Sequence, residues 1–179
     1  MKAAYVIGLP GSGKSTLMRL VLDGLDVAWR TRPFAHSAYY RGAEFVGLQL
    51  GGHHPDFPGT DRLSMAVQPK AIEWLPGCPA PVLVAEGDRL ATGSFLTALA
   101  EHSDLTVVWL DTPPEIAAAR RDARGASNQN PSWVAGRATK VRNLLDRWPH
   151  VRLDGTAPPD ELLAAAVAGV PAFAALRSK

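Results

Sequence analysis

The sequence predicts a three-layer α/β sandwich, in which a parallel sheet of about five strands carries helices on both faces. One observation behind this prediction is a glycine-rich loop, Gly8–Thr16, placed between an apolar segment and a helical pattern. Another is the alternation of short apolar runs with helical patterns along the rest of the chain. One of these runs is continuously apolar, as is typical of a central parallel strand that is buried on both faces. The predicted strands are Ala3–Ile7, Leu25–Trp29, Pro81–Ala85, Leu105–Asp111 and His150–Asp154.

The glycine-rich loop matches the phosphate-binding pattern G-x-x-x-x-G-K-[ST] at every fixed position. It follows a predicted strand, and Thr16–Leu22 after it predicts a helix that ends at Asp23. The backbone N–H groups of such a loop and the positive end of its helix bind phosphate. We therefore expect ATP here, with the Lys14 amine at its β- and γ-phosphates and the Ser15 hydroxyl as a ligand of Mg²⁺. The residues expected to bind this cofactor are Gly8, Pro10, Gly11, Ser12, Gly13, Lys14, Ser15 and Thr16.

Length and composition indicate one domain in a reducing compartment. A chain of 179 residues is long enough for one sizeable core, so we expect a single domain over residues 1–179. The sequence shows no apolar stretch long enough to cross a membrane and no room for a leader before the first strand. The lone Cys78 predicts no internal disulfide. We therefore expect a cytoplasmic protein without a membrane partner, while the formal net charge of +2 neither requires nor excludes nucleic acid.

Two arginines, Arg30 and Arg32, follow the second predicted strand. Ligands of open α/β sheets bind beyond the carboxyl ends of the strands, so these arginines are either substrate-binding residues or solvated loop residues. Residues 35–64 then predict a small β-hairpin-like insertion on the substrate side, because aromatic residues such as Tyr39 alternate loosely and glycines interrupt them.

Carboxylates lie at two predicted loop junctions. Asp61 precedes a helix predicted over Met65–Leu75, so it is either the N-cap of that helix or a substrate-side carboxylate. The continuously apolar run is followed by Glu86, Asp88 and Arg89. In proteins with this phosphate loop, a carboxylate at such a strand end holds Mg²⁺ or orients the nucleophile, which makes Glu86 a metal-binding candidate. The choice of general base among Asp61, Asp88 and Glu86 stays open.

The C-terminal half predicts a pair of arginines beside a short flap. Arg120 and Arg124 are one helical turn apart, so their guanidinium groups share a face and are candidates to stabilise the transferred phosphoryl group. The same spacing predicts that Arg121 points elsewhere. Residues 124–133 predict a mobile flap over the nucleotide, in which Trp133 either stacks on a base or packs beneath the flap.

These features together resemble the nucleotide and nucleoside kinase group. The matching parts are the loop Gly8–Thr16, the strand end Glu86–Arg89, and the pair Arg120 and Arg124. The Asn-Lys-x-Asp motif that reads guanine in GTPases is absent from the sequence. The resemblance implies a kinase that uses ATP and Mg²⁺, with Glu86 serving the metal and Arg89 contacting the acceptor. The chain departs from this group in having Glu where Asp is commoner, and in an insertion at 35–64 that does not look like a helical monophosphate-binding insertion.

A narrower resemblance links the chain to phage-encoded P-loop kinases that phosphorylate 5-hydroxymethyluracil in DNA. The matching segments are Gly59–Ser64 with Val67–Pro69, Asn128–Trp133 and Gly136–Lys140. This resemblance implies DNA with a modified base as the partner, and its hydroxymethyl group as the acceptor that Asp61 or Asp88 would orient or deprotonate. The base would leave the stack and pack on Tyr39, Tyr40 or Trp133. The residues that would follow the DNA backbone are Arg30, Arg32, Arg41, Lys70 and Arg89.

Two alternatives use the same loop without DNA. One is a kinase for a small-molecule hydroxyl, such as that of a nucleoside, a sugar or a drug. The other is a nucleotide-binding regulator without phosphoryl transfer, which the Arg120 and Arg124 pair disfavours because binding alone needs no charge aimed at a flap. Salt separates a DNA acceptor from a small one, since DNA binding weakens steeply as the salt concentration rises.

Overall fold

The computed structural model describes residues 1–52, 59–125 and 130–178, and its centre is one mixed sheet. Seven strands of the described residues form this sheet in the order β2-β3-β4-β5-β1-β6-β7. The strands are β1 (Lys2–Ile7), β2 (Asp26–Arg30), β3 (His36–Arg41), β4 (Glu44–Leu50), β5 (Val82–Glu86), β6 (Asp104–Asp111) and β7 (His150–Asp154).

Helices flank both faces of the sheet. They are α1 (Lys14–Leu22), α2 (Val67–Trp74), α3 (Gly93–His102), α4 (Pro114–Asp122), α5 (Pro131–Arg147), α6 (Pro159–Gly169) and α7 (Pro171–Arg177). Short 3-10 turns cover Gly59–Arg62 and Leu75–Gly77. Pro69 stands in the first turn of α2, where a proline costs no backbone hydrogen bond. The helix predicted from Val134 begins earlier, at Pro131, so the last part of the predicted flap is helical, while its residues 126–129 lie outside the described ranges.

The predicted α/β fold class is confirmed, with one correction to the strands. The strands β4, β5, β1, β6 and β7 are mutually parallel, whereas β2 and β3 extend the sheet in antiparallel fashion. The predicted second strand, β2, is therefore an edge strand outside the parallel layer. The reason is the β3–β4 hairpin, which turns at Gly42 and places β4 against β5. Residues 53–58 of the predicted insertion lie outside the described ranges.

Alternation along β1 divides the core into two layers, because successive strand residues point to opposite faces. Tyr5 faces α2 and α3 and packs edge-on against Phe95, with ring centroids 6.2 Å apart. Val6 faces the opposite way, toward α1, α6 and α7, where it joins Leu17 and Phe173. Fully burying each such side chain contributes about 1.5–3 kcal/mol. This double-sided burial holds the carboxyl end of β1, where the glycine-rich loop begins, between β5 and β6.

No single helix of the described residues is both long enough and apolar enough to span a membrane. The pair α6 and α7 passes that test of length and composition only jointly, across a bend of 112°.

Candidate active site

The phosphate-binding loop leaves β1 and is closed by the side chain of Lys14. The Lys14 Nζ donates hydrogen bonds to the carbonyl oxygens of Gly8, at 3.0 Å, and Leu9, at 2.9 Å. Gly11 and Gly13 have φ angles of 89° and 100°, which L side chains rarely adopt. Burial lowers the pKa of Lys14, against the opposing effect of two nearby carboxylates, those of Glu86 and Asp61. The lysine is thus held at the loop in the place where a phosphate oxygen would contact it.

A hydroxyl and a carboxylate meet at the first turn of α1. The Ser15 Oγ donates a hydrogen bond of 2.9 Å to Glu86 Oε1. Glu86 is only 2% exposed, and burial raises the pKa of its carboxyl group. Two hard oxygen ligands of this kind fit Mg²⁺, which usually keeps several waters and takes its other ligands from phosphates. Across the ranges 1–52, 59–125 and 130–178, no three His, Cys, Asp or Glu side chains cluster as a metal site of their own.

Helix α4 packs directly on the outer side of the loop. Arg120 Nη1 donates to the carbonyl oxygens of Ser12, at 3.3 Å, and Gly155, at 2.9 Å. Arg121 Nη1 donates to the Pro10 carbonyl at 2.7 Å, so the prediction that Arg121 points elsewhere is wrong. A Cβ on Gly11 would overlap the Ala117 carbonyl, which shows how closely the helix and the loop approach.

The geometry of α4 explains why Arg121 contacts the phosphate loop. Positions three and four residues after Ala117 share its face of the helix, and these positions are Arg120 and Arg121. Arg124 lies beyond the end of α4, where its Nε donates to the Arg120 carbonyl at 3.0 Å. In this arrangement Arg120 and Arg121 contact the phosphate loop, whereas Arg124 contacts its own helix end.

Asp61 is attached to the loop that follows β5. Its Oδ1 accepts hydrogen bonds from the backbone N–H groups of Asp88, at 2.7 Å, and Arg89, at 3.2 Å. The neighbouring Thr60 Oγ1 lies 3.2 Å from the hydroxyl of Tyr5 on β1. Helix α2 begins only at Val67, without a side-chain cap, so the alternative interpretation of Asp61 as an N-cap is wrong.

The environment of Asp61 suits proton transfer. Burial raises the pKa of the Asp61 carboxyl, and the positive charge of Lys14 opposes this effect. Asp61 also raises the pKa of Glu86, while Lys14 lowers it. The amine and the two carboxylates therefore form one electrostatically coupled group at the carboxyl ends of β1 and β5.

A family model described as P-loop Nucleotide Kinase3 matches residues 1–161. The chain belongs to this family. Among similar solved structures is an unliganded sugar kinase from Janibacter sp. HTCC2649, with TM-score 0.60, 16% identity, and coverage of 100% of this chain and 99% of that chain. A gluconokinase from Sinorhizobium meliloti 1021 has TM-score 0.56, 18% identity, and coverage of 98% and 91%.

At identities this low, the two solved structures show likeness of fold alone. None of the curated proteins compared with the chain matches it. Together, the family and the fold make the protein a P-loop kinase, which is a phosphotransferase. The guanine-reading motif of GTPases is absent from its sequence.

Asp88 of the kinase contacts α5. Its carboxylate forms an ion pair with Arg137 and a second one with Lys140, whose Nζ lies 3.1 Å from Asp88 Oδ1. The Arg137 guanidinium also lies over the ring of Trp133, 4.9 Å from its centroid. Burial, reinforced by the neighbouring Arg137, lowers the pKa of Lys140 to about 8. Asp88 is thus neutralised by two cations, and Trp133 has a guanidinium as its stacking partner.

The predicted substrate residues are spread over a wider area. Arg89 lies in the site, where its Nη2 donates to the Asp61 carbonyl at 3.3 Å. Arg30 and Arg32 are exposed at the carboxyl end of β2, three strand spacings or about 14 Å from β5. Tyr39 is buried, and its hydroxyl donates to Gln49 Oε1 at 2.9 Å.

Several residues at the site carried too little sequence signal to be singled out. Lys140 follows Arg137 by three residues, a spacing that places both on one face of a helix, but nothing in the sequence showed that this face meets Asp88. Arg121 could be assigned only once the packing of Ala117 on the loop was known. Gln49 lies within the least regular part of the sequence, and its burial follows from the β3–β4 hairpin.

Proposed function

We propose that this kinase transfers the γ-phosphate of ATP to a hydroxyl group of a small molecule. The observation that carries this proposal is a groove of about 320 Å³ that opens beside Ser15 and Glu86. Grooves and cavities of this size are typical of small-molecule sites. The groove reaches the same pair of side chains that fits Mg²⁺, so an acceptor bound in it would lie next to the transferred phosphate.

The phosphates of ATP would be bound by the backbone N–H groups of the loop and by the Lys14 amine. Ser15 and Glu86 would hold Mg²⁺, which neutralises charge on the β- and γ-phosphates. Asp61 would accept the proton of the acceptor hydroxyl, whose oxygen then bonds to the γ-phosphorus while the bond to the β-phosphate oxygen breaks and ADP leaves. Burial raises the pKa of both Asp61 and Glu86 and so makes each a stronger base than an exposed carboxylate. Glu86 would hold Mg²⁺, which leaves Asp61 for this role.

The similar structures suggest which acceptors to try first. They are described as a sugar kinase and a gluconokinase, so sugars and sugar acids head the panel. Free nucleosides complete it, because the sequence resembles nucleoside kinases.

A second candidate acceptor is 5-hydroxymethyluracil in DNA. Exposed cations on the acceptor side of the sheet favour it. Arg30 and Arg32 follow β2, and the Arg62 guanidinium lies 4.2 Å from the ring centroid of Trp29 on the same strand. Positive side chains and an exposed aromatic ring are the usual means of binding a nucleic acid strand.

The test is a transfer assay with γ-labelled ATP and Mg²⁺. The acceptors are gluconate, neutral sugars, nucleosides, ordinary DNA and DNA containing hydroxymethyluracil. We expect label on a small molecule, and loss of this transfer in Lys14→Ala but not in Lys2→Ala, which changes an exposed lysine at the far end of β1. Label on the modified DNA alone would replace the first candidate by the second. Binding of ATP without transfer to any acceptor would contradict both.

A further inference from the structure

The groove has a defined shape and a polar floor. One wall is α1, and the opposite side is the sheet extension formed by β2, β3 and β4. Its near end is the Ser15–Glu86 pair, and its far end lies where β2 begins. The residues that line it are Ser15, Met18, Arg19, Leu22, Asp23, Gly24, Leu25, Val27, Tyr39, Gln49 and Glu86.

The groove exists because α1 and the sheet extension are held apart at one end. Arg177 of α7 donates to the Asp23 carbonyl at 2.6 Å, and Arg41 of β3 donates to the Leu176 carbonyl at 2.8 Å. Helix α7 thus fixes the end of α1 relative to β3. Val27 on β2 remains 62% exposed beside the groove, since this part of the strand is not packed against α1.

Gln49 gives the floor a fixed hydrogen-bonding group. Its side chain is only 3% exposed, and a buried amide is costly unless it is hydrogen-bonded. The Tyr39 hydroxyl donates to its Oε1 at 2.9 Å. That bond orients the amide so that its nitrogen, with two N–H donors, faces away from Tyr39.

The charges around the groove limit what it can hold. Glu86 stands at the near end and Asp23 at the far end, while Arg19 is the only cation among the described residues that line the groove. Glu86 would be bound to Mg²⁺, but an acidic group at the far end of the groove would be repelled by Asp23. The apolar side chains of Met18 and Leu22 instead suit the carbon skeleton of an uncharged molecule.

We propose that the groove binds the body of the acceptor, and that Gln49, oriented by Tyr39, determines acceptor specificity. The acceptor is then an uncharged, hydroxyl-bearing molecule. Ser15 and Leu22 are seven residues apart on α1, so the wall is about 10 Å long, which matches a nucleoside or a disaccharide. This inference rests on the proposed function, because it names the substrate class of the same site.

The test measures acceptor binding separately from transfer. Thermal unfolding is followed with ADP and Mg²⁺ present, with and without gluconate, neutral mono- and disaccharides, or nucleosides. The variants are Gln49→Leu and Val27→Trp. The larger side chain at position 27 narrows the far end of the groove without touching the core. Gln68→Leu is the matched control, since Gln68 also accepts a side-chain hydroxyl, that of Thr92 at 2.8 Å, on the opposite face of the sheet.

We expect at least one neutral compound, but not gluconate, to raise the unfolding temperature of the wild type and of Gln68→Leu. In Gln49→Leu and Val27→Trp its apparent Kd should rise at least tenfold, while ADP stabilises all variants alike. The inference is overturned if no neutral compound binds, or if both groove variants bind it within twofold of the wild type. Binding in the groove without any transfer of phosphate would instead contradict the proposed function.

Discussion

One buried carboxylate, Glu86, together with the half-buried carboxylate of Asp61 and the half-buried amine of Lys14, sets the residue-scale chemistry of the site. Burial raises the pKa of Asp61 and of Glu86 and lowers the pKa of Lys14, so each charged form is unfavourable in isolation. Their mutual attraction offsets part of this cost. Such a group is stabilised when a triphosphate and a metal ion bring further charges, and it therefore trades stability of the unliganded protein for function.

The substitution Asp61→Asn tests whether this charged group lowers the stability of the unliganded protein. A carboxyl whose pKa is raised in the folded state binds its proton more tightly there, so its contribution to stability falls as pH rises through the interval between the usual and the raised value. Asparagine carries no such cost and keeps an Oδ1 for the backbone N–H groups of Asp88 and Arg89. We expect the melting temperature at pH 7 to be equal or higher, ATP binding to persist, and transfer to fall by about 10²–10⁴-fold. Near-normal turnover would remove Asp61 from the role of general base.

Substitution of Gly59 tests how closely the chain packs around the carboxylate of Glu86. Its φ is 61°, and a Cβ there would lie 2.6 Å from Glu86 Oε1 and overlap the Glu86 carbonyl. Gly42 has almost the same φ, 59°, with nothing within 4 Å. Gly42→Ala should therefore show the backbone strain alone, about 1–2 kcal/mol.

Gly59→Ala should cost about 1–3 kcal/mol more, because the alanine must displace both the backbone carbonyl and the buried carboxylate of Glu86. It should also weaken Mg²⁺-dependent nucleotide binding, which Gly42→Ala should leave unchanged. Urea unfolding and nucleotide titrations with and without Mg²⁺ measure both effects. Equal losses of stability in the two variants would show that Glu86 moves aside without cost.

At the scale of elements, α5 is attached to the loop after β5 through the two cations on Asp88. The Lys140 Nζ also donates to the Asp88 carbonyl at 2.8 Å. This helix begins at Pro131, so its attachment connects the second half of the chain to the acceptor side of the site. One of the two cations titrates within an accessible range of pH.

The pH dependence of unfolding should report this attachment. The pKa of Lys140 is lowered to about 8 in the folded protein, and an unfolded lysine titrates near 10.4. Between these values the unfolded state binds more protons, so this residue's contribution to the free energy of unfolding rises with pH. We expect this rise to be steeper in the wild type than in Lys140→Met, in which the lowered pKa of Lys14 still contributes. Parallel pH profiles of the two proteins, measured by urea unfolding from pH 7 to 10.5, would contradict it.

The elements nearest the phosphate were predictable from sequence, and those that position the acceptor were not. The loop, its strand and its helix follow from local glycine spacing and apolar runs, and β5 follows from a continuous apolar run. The position of β4 depends on a hairpin that joins β5 over more than thirty intervening residues. A one-dimensional pattern contains no information on that pairing, nor on which face of α4 meets Gly11.

At the scale of the whole molecule, the sheet order decides which residues can act together. The carboxyl ends of β1 and β5 are adjacent, which brings Lys14, Glu86 and Asp61 into one group. The exposed arginines after β2 stand at the far edge of the same sheet. A small acceptor in the groove reaches only the beginning of β2 and not the arginines at its carboxyl end, whereas a nucleic acid strand would cross both.

Salt dependence distinguishes these two modes of binding. With a neutral acceptor in the groove, we expect the acceptor KM to change less than about twofold between roughly 50 and 200 mM KCl, since no phosphate contacts are exchanged for counterions. A DNA strand making about six phosphate contacts would lose about 10³-fold in affinity over the same range. The ATP KM, measured in parallel, separates an effect on the acceptor from one on the nucleotide. Arg30→Ala combined with Arg32→Ala should leave the KM of a neutral acceptor unchanged. A steep salt dependence that this double substitution flattens would transfer the acceptor role from the groove to the arginine edge of the sheet.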